Sequence, residues 1–237
     1  GNVIRHLQEK AQKGTHRLAW DLRHASSRAI DPESSGGGGG WWNRGPLATP
    51  GMYTAALALE KDGAVTPLGN EVGFEVKPIR EGTLGGMDCA GYNEYRQEVE
   101  GLQREFEMLS DQFDEAETAL KGFQKALPRV QGSPAGLASD VHELEQALRA
   151  LEIKAEGSPA RNEIGERNPP SAQSYLGTAS RGLSTTYGPT PLHRRSLETA
   201  RTMLNELKPE VTRISDQMVP ALARKFEQAG APYIKGQ

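Results

Sequence analysis

Cysteine occurs once in the 237 residues, at Cys89, so an internal disulfide and a cysteine-built zinc site are both excluded. Long apolar runs are missing too: no stretch approaches the roughly 20 residues that a bilayer-crossing helix needs. Hydrophobic residues make up only 36% and aromatics 6%, which is lean for a globular chain. Neither sign of charge dominates, with 28 basic and 31 acidic residues and a net charge of -3, so nothing attracts the chain as a whole to nucleic acid. Gly-x-Ser-x-Gly, a phosphate loop and a dinucleotide fingerprint are all missing. The five histidines never stand at the i, i+4 spacing of a helical metal pair, and no cofactor is expected.

What is present falls into two unlike parts. Residues 1–90 carry 10 basic and 10 acidic residues, residues 91–156 carry 7 and 14, and residues 157–237 carry 11 and 7. Glycine and proline crowd the first part and are nearly absent from residues 92–127. The shift at Gly82-Thr-Leu-Gly-Gly-Met-Asp88 therefore reads as a boundary: a β module over 1–82, a linker over 83–90 and a helical module over 91–237.

In the first module Val3–Leu7, Thr15–Asp21, Met52–Glu60, Ala64–Leu68 and Glu71–Val76 have strand length and alternation. Asp62-Gly63 is a tight-turn pair that predicts a hairpin, and Pro50-Gly51 turns into the strand that follows it. The economical expectation is an antiparallel immunoglobulin-like β-sandwich with Trp20 and Tyr53 in its core. Gly1-Asn2 reads as the second half of a hairpin turn, so the sandwich is expected to lack its first strand, which lies with a larger upstream region outside this chain.

The second module is periodic. Tyr92, Tyr95, Val99, Leu102, Phe106, Leu109, Phe113, Ala116, Leu120, Phe123 and Leu127 follow one another at alternating spacings of 3 and 4, a heptad stripe predicting a helix over about 91–127. Leu137, Val141, Leu144, Leu148 and Leu151 repeat the pattern for a helix over about 134–156. Leu197, Ala200, Leu204, Leu207, Val211, Ile214, Met218 and Leu222 do so over about 191–229, with kinks expected before Pro209 and Pro220. The result is α+β: the β-sandwich followed by an antiparallel three-helix bundle, held by Leu102, Phe106, Leu109, Phe113, Leu144, Leu148, Leu204 and Leu207. Residues 157–190 show no period and read as a long irregular loop, with Ile164, Tyr175, Leu176, Leu183 and Tyr187 covering the groove that the short second helix leaves open.

Three stretches resemble a known family: Gly14-Thr-His-Arg-Leu-Ala-Trp-Asp-Leu-Arg23, Gly45-Pro-Leu-Ala-Thr-Pro-Gly-Met-Tyr-Thr54 and Ala229-Gly-Ala-Pro-Tyr233. They are similar to the C-terminal region of secreted bacterial proteins that carry a sortilin-like, neuraminidase-repeat β-propeller and are often labelled glycosyl hydrolase. The first two resemble the sandwich also found in the flagellar hook-capping protein. The resemblance implies a secreted or periplasmic setting, an upstream propeller as partner, and any catalytic residues lying in that propeller. The five glycines before Trp41-Trp42 depart from the family pattern.

Within the chain, the residues that could take a ligand are Trp41, Trp42 and Tyr53, since exposed aromatic faces stack on sugar rings or on a partner. Cys89 has no basic neighbour to activate a thiolate. The glutamates of the first two predicted helices fall on polar heptad positions, where water surrounds them. The reading is therefore a non-catalytic scaffold or interaction module, with a carbohydrate-binding module as the alternative and no nucleic acid or membrane span among its partners.

Overall fold

The computed structural model describes residues 2–30, 44–79, 86–132, 135–185 and 187–234. It is an α+β protein with two small antiparallel sheets of two strands each. The chain divides into two compact units, one formed by Gly1–Gln97 with Leu183–Gly188 and the other by Glu98–Gly182 with Pro189–Gln237.

In the first unit, β1 (Gly51–Ala55) pairs with β4 (Val72–Val76), and β2 (Ala58–Lys61) pairs with β3 (Ala64–Pro67). The four strands form one long hairpin with an interruption: Leu68 donates its N–H to the Leu57 carbonyl, after which Gly69, at φ +76°, bulges out before β4 resumes the pairing. At the tip Asp62 and Gly63 both take positive φ, 52° and 77°, the two left-handed positions of a type I′ turn. The expected Met52–Glu60 strand is thus cut at Ala56-Leu57, because the bulge on the opposite side leaves those residues without a full ladder.

Val3–Leu7 and Thr15–Asp21 are not strands. Their alternation is real, but among the described residues no strand lies beside them to complete a ladder. What fixes this stretch is sparse: an N–H bond from Ala25 to the Ile4 carbonyl, and a bridge of Arg23 with Leu47 flanked by bonds from His24 to Pro46 and from Ala48 to Leu22. Gly45 is obligatory here, since a Cβ would collide with the His24 carbonyl oxygen.

Six helices lie among the described residues: α1 (Cys89–Ala126), α2 (Ala135–Ala155), α3 (Pro159–Glu163), α4 (Ala172–Arg181), α5 (Pro191–Arg213) and α6 (Val219–Gln228). α1 opens with Asp88 accepting the Gly91 N–H at 2.6 Å and gives way to a 3-10 turn at Leu127–Arg129, where Pro128 cannot continue the ladder. α2 stops at Gly157, whose φ of +106° few other residues would accept. Pro209 sits inside α5 without ending it, whereas Pro220 is accommodated by a π-turn over Ile214–Met218 that joins α5 to α6. A wider turn there lets the rod run on past a residue that has no N–H to give.

Ion pairs set the directions of these rods. Glu98 meets Arg201 and Glu105 meets Lys208, both at 2.8 Å and both 103 residues apart, so α1 and α5 run parallel. Asp140 meets Lys225 at 2.6 Å while Leu151 faces the level of Leu204 and Leu207, so α2 runs the opposite way. Each pair is exposed and worth at most about 1 kcal/mol, so orientation rather than stability is what they supply.

The core lies in this second unit. Leu102, Leu144, Leu148, Leu204 and Leu207 are all less than 5% exposed, and Phe106 is buried with them. Phe123 is fully buried and stacks on Phe226 with ring centroids 5.0 Å apart. Leu109 and Phe113, expected to sit equally deep, are only half-buried. They face α2 where it offers Leu151 and then Ala155, and alanine is too short to cover them.

The segment expected to be an irregular loop holds α3 and α4 instead. Ser171 caps α4 by accepting the Ser174 N–H, and the helix buries Ala172, Leu176 and Ala179 as it packs along α5. Two of its three buried residues are alanines, which hydrophobic periodicity barely registers. Leu176 is buried, while Ile164 and Tyr187 stay 70% and 54% exposed. The link between α2 and α4 is tied by Asn168, which accepts the Ser158 N–H at 3.0 Å and donates to the Ser158 carbonyl at 3.1 Å and to Asn162 Oδ1 at 2.6 Å.

Candidate functional site

Three places in the molecule gather chemistry-bearing side chains. The first is aromatic. Tyr53 on β1 and Phe74 on β4 stand opposite each other in the ladder, so both point to one face, and their rings stack at 6.0 Å. Trp20 closes on them at 5.5 and 6.1 Å. Hydrogen bonds hold each polar tip: Tyr53 Oη donates to the Thr49 carbonyl at 2.6 Å and Trp20 Nε1 to the Arg23 carbonyl at 2.8 Å. Asp21 Oδ1 in turn accepts the Arg23 N–H at 3.2 Å, fixing the turn after the tryptophan. Phe74 was not singled out from the sequence, although Val72, Phe74 and Val76 share the i, i+2 alternation that puts it on this face.

Tyr53 is half-buried, with Trp20 and Phe74 both in contact with its ring. Trp41 and Trp42 lie outside the described residues. Of the three aromatic candidates the structure therefore describes Tyr53 alone.

The second place is a cleft of about 370 Å³ in the helical unit, between α1 and α2 and closed at one end by Ser158-Pro159. Leu120 and Leu148 form its floor, and Glu117, Lys121, Arg149 and Glu152 its walls. Lys121 is taken by Glu117 at 3.1 Å. Burial of Glu152 raises its carboxyl above the ordinary value near 4.5; Glu117 and then Glu156 push the same way, and Arg149 opposes them. Charges of both signs line the cleft and partly neutralise one another.

The third is an apolar slot of about 30 Å³ bordered by Phe106, Leu109, Phe113, Leu151, Ala155 and Val211. It has room for little more than a methyl group and is a packing defect of the seam. Among the described residues no group of three or more His, Cys, Asp or Glu side chains could hold a metal ion, and no helix is long and apolar enough to cross a membrane. Cys89 is exposed at the start of α1, with its Sγ 3.8 Å from the Pro50 carbonyl.

No family model, curated protein or solved structure matches the chain. What the chain does must therefore be argued from its own residues.

Proposed function

We propose that this chain is a non-catalytic scaffold or interaction module: an incomplete immunoglobulin-like sandwich joined to an antiparallel three-helix bundle, forming part of a larger secreted protein that carries a β-propeller. The observation that carries the reading is the exposure of the β part. Of the described residues between 2 and 79 only Gly45 is buried, while Val3, Met52, Val65 and Val72 keep 71%, 73%, 67% and 64% of their surface in water. A hairpin with one aromatic cluster has too little buried surface to stand alone, and exposed apolar side chains in this number mark a surface meant to be covered. Further strands of the same parent protein are the covering element. They would pair with the open edges of the hairpin and shield its apolar face.

The helical part supports a scaffold role by contrast. Its apolar stripes are spent internally along α1, α2 and the α5–α6 rod, and its carboxylates lie in mixed-charge surroundings. In the carbohydrate-binding alternative Tyr53 is shared with the aromatic cluster, and Trp41 and Trp42 lie outside the described residues.

The test is the mass of the native polypeptide, read by immunoblot of source cells and medium with an antibody to the helical unit. A secreted band far above 25.7 kDa is expected. A band at 25.7 kDa would overturn the larger-parent reading.

A further inference from the structure

The buried residues of α5 follow one seam that runs on into the π-turn. Leu197, Ala200, Leu204, Leu207, Val211 and Ile214 are each no more than 5% exposed, and they stand at alternating spacings of 3 and 4. Continued without a break, that seam would next reach Met218, Ala221 and Lys225. The structure does otherwise: Ala221 and Lys225 are exposed, and the residues buried in α6 are Leu222 and Phe226, each one position later. One residue is therefore extra to the repeat between Ile214 and Leu222, and the π-turn over Ile214–Met218 lies in that interval. A turn closed from i to i+5 takes up one residue more than an α-helical turn does.

We propose that the π-turn is a one-residue register insert, required by this apolar spacing rather than by Pro220, and that it decides which face α6 turns to the bundle. In an unbroken α-helix each residue advances the direction by about 100°, so without the π-turn Leu222 and Phe226 would swing off the seam by about a quarter-turn. Phe226 would leave Phe123, on which its ring stacks at 5.0 Å. Lys225, which now meets Asp140 at 2.6 Å from an exposed position, would take the place on the seam instead. A proline alone does not call for such a turn, because Pro209 stands inside α5 and the helix continues through it. Nor does the core need the extra residue. Removing one residue from the turn brings Val219, Leu222 and Phe226 into line behind Ile214 at spacings of 4, 3 and 4. The rod therefore has two lengths that close the same core, one with the π-turn and one as plain α-helix.

The experiment compares three variants of the full chain: deletion of Gln217 in the turn, deletion of Thr202 in α5, and Pro220→Ala. Gln217 and Thr202 are both exposed, so neither deletion removes a buried side chain. Each variant is read by thermal melting followed at 222 nm and by the nuclear Overhauser effect between the Phe123 and Phe226 rings. Deletion of Gln217 is expected to keep the ring contact and to shift the melting temperature by less than about 5 °C. Deletion of Thr202 turns Leu204, Leu207 and Val211 off the seam and is expected to lower it by more than about 10 °C. Pro220→Ala is expected to keep the ring contact, since the spacing holds the turn. Loss of that contact in the Gln217 deletion, or equal destabilisation by the two deletions, would overturn the proposal. So would its loss in Pro220→Ala, because the proline would then be what makes the turn.

Discussion

Phe123 and Phe106 stand on the same stripe of α1, and the structure separates what their removal should cost. Phe123 is fully buried and stacked on Phe226, 5.0 Å away on α6. Truncating it to alanine removes a whole buried ring and leaves a cavity that α6, held by Asp140 and Lys225 nearby, is poorly placed to fill. Large aromatic truncations of this kind cost about 3–5 kcal/mol, and the stacked partner adds about 0.5–1.5 kcal/mol. Phe123→Ala is therefore expected near the top of that range, about 5 kcal/mol. Phe106, at 8% exposed, borders the open apolar slot, so neighbours can relax into the space and water can enter it. Phe106→Ala should fall near about 3 kcal/mol. Urea unfolding followed by circular dichroism at 222 nm reads the helices directly, and adding Phe226→Ala and the double variant closes a cycle. The coupling between Phe123 and Phe226 should be about 0.5–1.5 kcal/mol. A larger loss at Phe106 than at Phe123, or a coupling near zero, would refute the packing argument.

Other changes test other parts of the structure. Asn168→Ala removes the bonds that tie Ser158 and Asn162 to the start of α4 and should cost about 1–2 kcal/mol by the same urea assay, with Asn168→Asp recovering less than half because it cannot donate. At Gly122 an added Cβ would lie 2.7 Å from the Ile234 Cγ2, the far end of a flexible side chain, so Gly122→Ala should leave the melting temperature within a few degrees. The same variant should speed proteolytic trimming of the residues around Tyr233, which limited digestion and mass spectrometry would reveal. Glu152 predicts a pH effect of definite sign. Its folded-state carboxyl binds a proton more tightly than it does in the unfolded chain, so its contribution to stability improves as pH falls through the raised folded value and levels off below the ordinary one near 4.5. In Glu152→Gln that contribution should vanish, which melting temperatures of both proteins measured from pH 7.5 to pH 4.5 would show; parallel curves would refute it.

The parts of this fold that could be read from the sequence are those whose partners are implied by their own pattern. A heptad stripe states both that a helix forms and which side is buried. Val99, Leu102, Phe106, Leu120 and Phe123 are indeed buried at their stripe positions, and the Asp62-Gly63 pair specifies its hairpin because the turn dictates the pairing. Alternation in Val3–Leu7 or Thr15–Asp21 says only that a residue would suit a half-buried ladder, and it leaves the partner to the rest of the protein. α4 failed for the opposite reason: its contact with α5 is close because Ala172 and Ala179 are small, and small residues add almost nothing to a hydrophobic period. Two of the three rings of the aromatic cluster, Trp20 and Tyr53, stood out in the sequence and Phe74 did not, since only the β1–β4 register puts that ring opposite Tyr53.

That division bears on function. The helical unit is specified from within: its stripes, its ion pairs between α1 and α5 and its Asn168 tie all find their partners among the described residues. The β unit keeps strand-like alternation over residues that lack strands and holds Val3, Met52, Val65 and Val72 in water. Natural sequences are locally and globally consistent, and here a strong local signal stands without a strand to satisfy it among the described residues. Amide exchange should expose the asymmetry directly. Residues 51–76 should exchange far faster than α1, α2 and α5 in the isolated chain, and should become protected when the hairpin is presented with the strands that complete it. Slow exchange of the hairpin in the isolated chain would mean that its exposed valines and Met52 serve no partner.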